Sequence, residues 1–464
     1  MDDASILNEL RSLVLSKTCI QSVTPADCKK IAVEISQTLH RTLSETTIKR
    51  IFGFAHSQHN FSKFTLAALA EYVDMHPGHT VYDGWQDIDS KASFITTNTI
   101  NGIKSRSELP FKMTISRDFA ASDLQQFQQS ECSFTAFISP PAYGRSILMS
   151  HLAEQIRNQQ LAGYHNTTLL FITARDLFEK TEQTIVFEER VKTLLGIHPN
   201  ESLIQYADLN YEQSGKSLTI FIDGFCELEL KSRFREQLIE SIFGFVHDLG
   251  DRKSIRMVMS MRSHTWKRYA KVISQSTLLT QKWFCGTHYN PDTYANVPCL
   301  DDQEIENIFL GIEDAQPLNK ALRQEFRFPL NISLYHQILE EKSYLSEPPE
   351  ITAAELTAQY VRNKIYRSNY YTEKIHFLRK IIHLTNFGKK GPCAPKEMLI
   401  TDLSAFRNAY LELLSDGILS EDICESCASA KQTVCFSHAK VFDYFLQIEL
   451  LISNEKGLTS PIDK

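Results

Sequence analysis

The stretch Phe134-Thr-Ala-Phe-Ile138-Ser-Pro-Pro-Ala-Tyr-Gly144-Arg-Ser146 decides the fold. A short apolar run leads into a tight loop with two prolines and a glycine. An apolar helix follows, carrying Ile147, Leu148, Leu152 and Ile156. A strand that turns through such a loop into a helix N-terminus presents a group of backbone N–H donors, which is typical of a phosphate-binding site.

The loop matches the phosphate-binding pattern G-x-x-x-x-G-K-[ST] only in part. Gly144 and Ser146 match, whereas Ser139 replaces the first glycine and Arg145 replaces the lysine. Taken alone, the loop is equally compatible with an ordinary strand-to-helix turn. Together with the strands below, it predicts that the loop with Gly144, Arg145 and Ser146 binds a nucleotide.

Two further apolar runs end on charged side chains. Leu218-Thr-Ile-Phe-Ile-Asp223 ends on an acid, the position that holds Mg²⁺ opposite a phosphate loop. Arg256-Met-Val-Met-Ser-Met-Arg262 ends on a cation. Because ligands sit at the carboxyl ends of the strands in open α/β sheets, Arg145, Asp223 and Arg262 are expected to meet at one site. The alternative is a fold of this type that has lost its ligand.

Apolar runs and helical stretches alternate through the middle of the chain. The predicted strands, 134–138, 168–173, 217–223 and 255–261, indicate a parallel sheet covered by helices. The fold class is therefore multidomain α/β. The predicted regions are a helical, helix-turn-helix-like domain at 1–85, a polar linker at 86–110, a P-loop NTPase domain at 111–300, a helical domain at 301–380 and a winged-helix-like domain at 381–464.

The order of these features resembles the NACHT branch of the STAND NTPases. The resemblance covers residues 130–450 and rests on the degenerate phosphate loop, Ile222-Asp-Gly-Phe-Cys-Glu227, the strand-ending Arg262 and a helix–helix–hairpin–helix pattern near the C-terminus. It implies that Ser146 and Asp223 hold Mg²⁺, that Arg145 replaces the phosphate-binding lysine, and that Arg262 senses the terminal phosphate of bound ATP.

Two residues of the C-terminal half gain a role from the same resemblance. Pro329 resembles the proline that packs against adenine, and His438 resembles the histidine that reaches the β-phosphate and locks the resting state. Other readings stay open. Pro329 also fits a helix start, and His438 also fits a core or capping histidine.

The chain differs from the family at two positions that would take part in nucleotide hydrolysis. The family commonly has D-G-x-D-E, and Cys226 stands where the second aspartate would be, although Glu227 remains. A thiol is a poor general base in that geometry, and the guanidinium of Arg145 is broader than an ammonium group. With Asp223, Glu227 and Arg262 as the catalytic candidates, slow or absent hydrolysis is expected.

Residues 24–70 carry a local excess of basic side chains. Six lysines and arginines stand against three acids, within a chain whose net charge is −7. The segment 44–50 resembles a helix-turn-helix recognition helix, which makes Lys49 and Arg50 candidate DNA contacts. A small helical adaptor with solvated lysines fits equally well.

The cysteines allow a metal site as well as a thiol cluster. Cys424, Cys427, Cys435 and His438 are zinc-like in ligand type, with the reduced cysteine cluster as the alternative. The ten cysteines are mostly scattered, which favours reduced thiols and a cytoplasmic protein. The chain lacks a signal-like N-terminus and an apolar run of about 18 residues, so no membrane partner is expected.

The function predicted from these observations is a nucleotide-controlled switch. The resemblance implies bacterial antiphage defence, with ATP or ADP and Mg²⁺ as ligands, self-assembly on activation, and an unknown trigger. The alternatives are a DNA-binding transcriptional regulator with an NTPase-like sensor domain, and a nucleotide-free interaction scaffold.

Overall fold

A computed structural model gives the fold of the chain. It describes residues 23–39, 43–55, 81–178, 186–225, 232–312, 318–342, 351–424 and 431–458, with isolated positions between 10 and 18 and between 65 and 72. The chain divides into two compact units, Met1–Ile88 and Asp89–Lys464.

Two described helices of the first unit follow the predicted pattern, α1 (Asp27–Leu39) and α2 (Glu45–Ile51). Helix α1 begins at Asp27, whose carboxylate accepts hydrogen bonds from the Thr24 amide (2.9 Å) and hydroxyl (2.6 Å). Ser44 caps α2 by accepting the Thr47 amide at 3.1 Å. A buried apolar cluster joins the helices, because both present isoleucines to it.

The second unit is built on a five-stranded parallel sheet with the order β2-β3-β4-β1-β5. The strands are β1 (Phe134–Ser139), β2 (Thr167–Thr173), β3 (Ser217–Asp223), β4 (Ile255–Arg262) and β5 (Trp283–Phe284). The four predicted strands are confirmed to within one residue at either end. Strands β1, β3 and β4 are buried along their whole length, as expected of a sheet covered by helices.

One helix before β1 and several helices between consecutive strands lie around this sheet. They are α4 (Asp118–Gln129), α5 (Arg145–Arg157), α6 (Phe187–Leu195), α7 (Leu203–Ser214), α8 (Ser232–Leu249), α9 (Ser263–Gln275) and α10 (Thr277–Lys282). Leu148, Met149 and Leu152 of α5 share one apolar cluster with Phe137 and Phe171 of the sheet. That packing fixes the loop before α5 above the end of β1.

Most of the segment predicted as a linker, 86–110, is helical. Residues Val81–Arg106 form one helix, α3. The buried Thr96 hydroxyl donates to the Leu169 carbonyl (2.8 Å) and accepts from the Phe171 amide (2.9 Å). Helix α3 therefore satisfies backbone groups of β2, the edge strand. The serines and threonines that suggested a linker include one that the edge strand requires.

The region after the sheet is helical at first and then contains a second, smaller sheet. Its helices are α11 (Asp302–Phe309), α12 (Lys320–Glu325), α13 (Pro329–Glu341), α14 (Ala353–Val361), which continues as a π-helical turn at Arg362–Tyr366, α15 (Tyr371–Leu384), α16 (Ile400–Ala405), α17 (Arg407–Ser415) and α18 (Ala439–Leu458). The strands β6 (Cys393–Pro395), β7 (Leu419–Cys424) and β8 (Lys431–Phe436) form an antiparallel sheet in the order β6-β8-β7.

The predicted order of helix, helix, hairpin and helix after 395 is present as α16, α17, the β7–β8 hairpin and α18. One apolar cluster runs from Leu300 through Phe377 to Phe445. The regions 301–380 and 381–464, predicted as separate domains, therefore share a single core.

The cysteine predictions fail at Cys435. Its sulfur is bonded to that of Cys393 across the β6–β8 pair. Cys435 is therefore neither a reduced thiol nor a zinc ligand here. Cys427 lies outside the described residues, and no group of three or more metal-ligating side chains occurs among the described ones.

None of the helices in the described ranges is both long enough and apolar enough to cross a bilayer.

We expect Thr96→Val to lower the free energy of unfolding by about 1–3 kcal/mol, because a buried amide and carbonyl of β2 lose their partner. Chemical denaturation measures this. Thr97→Val is the matched control, since the Thr97 hydroxyl bonds to the Ser93 carbonyl of α3 itself, and it is expected to stay within about 0.5 kcal/mol. Equal losses in the two variants would contradict this role of Thr96.

Candidate functional site

A cavity of about 610 Å³ opens at the carboxyl edge of the parallel sheet. That volume lies within the range of small-molecule sites. Its walls come from the loop between β1 and α5, called the phosphate-like loop because it resembles a phosphate-binding loop, and from the ends of β2, β3 and β4. The segment between α3 and α4 and parts of the C-terminal half complete them. The lining residues include Pro141, Gly144, Arg145, Ser146, Asp223, Arg262, Pro329, Tyr360, Ser415 and Asp416.

The loop between β1 and α5 has the backbone of an anion cradle. Ala142 and Gly144 both adopt left-handed conformations, with φ of 77° and 69°. Alternation of this kind turns successive N–H groups toward one side. Helix α5 begins directly afterwards at Arg145, and its first residues line the same cavity, so its positive dipole end faces that cavity. Gly144 suits its position, since φ is positive and a Cβ there would lie 3.4 Å from Pro329.

Arg145 occupies the position of the phosphate-binding lysine, but its side chain folds back on the loop. Its Nη1 donates to the Ser139 carbonyl (2.7 Å), the Ser139 hydroxyl (2.6 Å) and the Pro140 carbonyl (2.8 Å). The guanidinium therefore braces the base of the loop while lining the cavity. Ser139, where the pattern has glycine, supplies two of these acceptors.

Asp223 ends β3 and is 5% exposed. Strand β4 lies between β3 and β1, so the loop and the acid are separated by about two strand spacings, roughly 10 Å. Ser260 of β4 donates its hydroxyl to the Asp223 carboxylate. Ser146, at the start of α5, lines the same cavity. A carboxylate and a hydroxyl facing a phosphate cradle form a donor set that fits Mg²⁺.

Arg262 ends β4, beside Ser139 in the parallel register. It is 5% exposed and lines the cavity. Its Nη1 donates to the Leu414 carbonyl at 2.7 Å, and its Nη2 donates to the Ser415 carbonyl. The predicted sensor of a terminal phosphate therefore binds the C-terminal end of α17 in this structure.

Pro329 lies where the C-terminal half meets the loop. It is the first residue of α13, and it packs against Gly144 of the loop. The next amide, that of Leu330, donates to the Ala142 carbonyl at 3.3 Å. Apolar side chains surround this part of the cavity, namely Leu109, Ile115, Leu300, Ile308 and Ile332. One part of the lining is thus apolar, and the groups at the sheet edge are polar.

His438 lies next to the cavity without lining it. Its ring packs edge-on against Tyr360, with the centroids 5.6 Å apart, and Tyr360 does line the cavity. Burial, and then the charge of Arg262, lower the pKa of His438 to about 4. Among the described residues, its Nε2 is buried with no hydrogen-bond partner. The ring is therefore neutral at pH 7, and it is not part of the cavity wall.

The remaining residues named in the sequence analysis are Cys226, Glu227, Lys49 and Arg50. Glu227 and Cys226 lie outside the described residues. Lys49 and Arg50 occupy the last turn of α2 in the first unit, where Lys49 pairs with Glu45 at 2.6 Å.

Sequence reasoning missed several residues that the fold brings to the cavity. Tyr360 lines the cavity and Ser260 binds the Asp223 carboxylate, yet neither gives a local signal, because its role depends on which elements meet. Asp416-Gly417 is an exception: an Asp-Gly pair after an apolar helix predicts a helix end. That signal marks the end of α17, although not its contact with the loop.

Some solved structures resemble this chain, with low sequence identity and low TM-scores. No family model matches the sequence, and no curated protein matches it. A Walker-type ATPase of Pyrococcus abyssi is 13% identical, with a TM-score of 0.39, over 72% of this chain and 98% of that one. The Aeropyrum pernix ORC2 protein, solved with ADPNP and ADP, is 9% identical, with a TM-score of 0.36, over 71% and 94%.

A third structure, the S. cerevisiae Hsp104–ADP complex, is 11% identical, with a TM-score of 0.33, over 59% of this chain and 46% of that one. The assignment of this chain to an α/β fold of the P-loop NTPase type rests on its own strand order and its strand–loop–helix geometry.

The lowered pKa of His438 predicts a pH-dependent stability. A histidine with a pKa near 6.5 when unfolded and about 4 when folded takes up its proton in the unfolded state first. Its contribution is therefore constant above pH 6.5 and is lost as the pH falls toward 4. At pH 5 the loss is about 2 kcal/mol.

We expect His438→Gln to remove the pH-dependent contribution of this histidine. Between pH 7 and 5 the free energy of unfolding of the variant should therefore fall less than that of the unaltered protein. Denaturation at a series of pH values measures the difference. Parallel curves for the two proteins would contradict the buried neutral histidine.

Proposed function

We propose that the protein binds an adenine nucleotide with Mg²⁺ in this cavity and acts as a nucleotide-dependent switch. The observation that carries the proposal is the convergence of a left-handed backbone cradle, a helix N-terminus and a strand-ending acid on one cavity. Of the described residues that line it, six are basic and three are acidic, an excess that favours a polyanion.

Ser146 and Asp223 would hold the Mg²⁺ ion, with Ser260 orienting the carboxylate. When bound, Mg²⁺ neutralises phosphate charge. The backbone around Gly144 and the N-terminal turn of α5 bind the phosphates, while the apolar half beside Pro329 accepts the base. That the base is adenine is inferred from the resemblance to the NACHT proteins.

The walls of the cavity support the switch. They come from the sheet and also from α13, α14 and the end of α17, so a ligand there touches both halves of the second unit. We propose that bound nucleotide holds the two halves together, with His438 as the lock of the resting state, and that release permits self-assembly. Tyr360, against which His438 packs, must then move before His438 reaches a β-phosphate.

The finer proposal is a protein of the NACHT/STAND type in bacterial antiphage defence, which rests on the order of motifs in the sequence. Turnover is proposed to be slow or absent, because Cys226 replaces an acid and Arg145 is engaged with its own loop. An ATPase activity, where present, would use Asp223, Glu227 and Arg262.

We expect Asp223→Asn to lower the Mg²⁺-dependent affinity for ADP or ATP by about tenfold or more, because a carboxylate ligand becomes an amide. Calorimetry with and without Mg²⁺ measures this. Asp208→Asn is the matched control: Asp208 accepts a hydroxyl from Ser254, which precedes β4 at the opposite edge of the sheet (2.5 Å). Absence of adenine-nucleotide binding by the folded, unaltered protein would end the proposal.

DNA binding through the first unit is the second candidate. The observation in its favour is a helix pair with Lys49 and Arg50 in the last turn of α2 and Arg50 exposed. We expect the double variant Lys49→Ala/Arg50→Ala to bind DNA more weakly in a gel shift at moderate salt, whatever the DNA sequence. Its DNA affinity should also depend less steeply on the salt concentration. Lys253→Ala, a basic surface residue of the second unit, should leave the shift unchanged. If the double variant shifts DNA as strongly as the unaltered protein does, Lys49 and Arg50 are not the DNA contact.

A further inference from the structure

Three of the cations in the cavity wall are already engaged by the protein itself. Nη1 of Arg145 donates to the Ser139 hydroxyl and to two carbonyls of its own loop. Arg117 pairs with Glu304 at 2.8 Å, and Arg262 donates to the end of α17. A guanidinium that holds several acceptors must give them up before it binds a phosphate, and the lost hydrogen bonds reduce the gain. A cation with weaker internal partners is therefore better suited to a ligand phosphate.

Lys364 lines the same cavity from the C-terminal half. Its side chain is 34% exposed, and its ammonium contacts one Asp416 oxygen at the long distance of 3.9 Å. The other Asp416 oxygen lies 3.5 Å from the ammonium of the fully buried Lys374. Asp416 therefore keeps a cationic partner when the Lys364 ammonium turns away. The protein holds this ammonium only weakly.

A π-helical turn places Lys364 in the cavity wall. Helix α14 continues as the turn Arg362–Tyr366, and the Arg367 amide donates to the Arg362 carbonyl, five residues earlier, at 2.8 Å. Single π-helical turns within α-helices are frequent at functional sites. The buried Lys374 ammonium fixes this turn by donating to the Lys364 carbonyl at 3.2 Å. The backbone of Lys364 is thus held in place, while its four-carbon side chain stays flexible.

Resting on the proposed function, we propose that Lys364 binds a phosphate of the nucleotide, in the role that a lysine of the phosphate loop would have at position 145. An ammonium is a compact charge with three rotatable donors, which suits phosphate oxygens. Asp416 competes for the same ammonium when no nucleotide is bound. Binding therefore exchanges a weak contact with a carboxylate for a contact with phosphate, and it ties α14 to the ligand.

The test measures ADP affinity in the presence of Mg²⁺ by calorimetry. We expect Lys364→Ala to lower this affinity about tenfold or more, because a hydrogen bond between two charged groups is lost. Lys364→Arg keeps the charge and should recover most of the affinity. Lys342→Ala is the matched control: Lys342 follows α13, is 32% exposed, pairs with Glu355 of α14 at 2.8 Å and does not line the cavity. Its ADP affinity should equal that of the unaltered protein.

Asp416→Asn provides a change of the opposite sign. The buried Lys374 keeps Glu412 at 2.8 Å in this variant, and Lys364 loses its competing carboxylate. We expect ADP affinity to rise roughly threefold, as for the loss of a partly exposed ion pair. The gain should vanish when Asp416→Asn is combined with Lys364→Ala. An equal gain in both backgrounds shows that Asp416 acts on the phosphate directly, and it overturns the exchange of partners.

The remaining outcomes separate this role of Lys364 from the proposed function. ADP affinity that is unchanged in Lys364→Ala, or that falls equally in Lys364→Ala and Lys342→Ala, overturns the phosphate contact of Lys364 and leaves the nucleotide site in place. Failure of the folded, unaltered protein to bind ADP or ATP overturns the proposed function with it.

Discussion

The parallel alignment of β3, β4 and β1 is the constraint on which the site depends. Because neighbouring parallel strands end at one edge, Asp223, Arg262 and the loop after Ser139 lie side by side. They are far apart in sequence, and the register of the strands fixes their positions relative to one another. The strands are buried, so a register shift would cost apolar burial along the whole sheet.

The remainder of the second unit is built against that edge. Pro329 packs on Gly144, Gly417 packs on Pro141, and Arg262 binds the end of α17. These three contacts have different chemistry: van der Waals contact at the two glycines, and charge-assisted hydrogen bonds at the arginine. Together they make the phosphate-like loop the place where the sheet and the C-terminal core meet. A ligand bound at the loop would therefore contact both the sheet and the C-terminal core.

Two parts of the chain have structures that composition could not reveal. The segment around Thr96 is rich in serine, threonine and asparagine, which is typical of a linker, yet it forms a helix. Its stability comes from tertiary contacts, as the Thr96 hydroxyl bonds to the edge strand β2. Cys435 was grouped with its sequence neighbours, whereas the β6–β8 pairing brings it to Cys393, which is distant in sequence.

The sequence alone determined the strands, the loop and the ends of the strands, because apolar runs, glycines and terminal charges are local signals. It placed Gly144, Ser146, Asp223 and Arg262 at one edge of a sheet. Only the tertiary structure decided what each side chain touches: Arg145 on its own loop, Arg262 on α17, and His438 beside Tyr360. Those contacts join elements separated by many residues, and the packing of whole elements selects them.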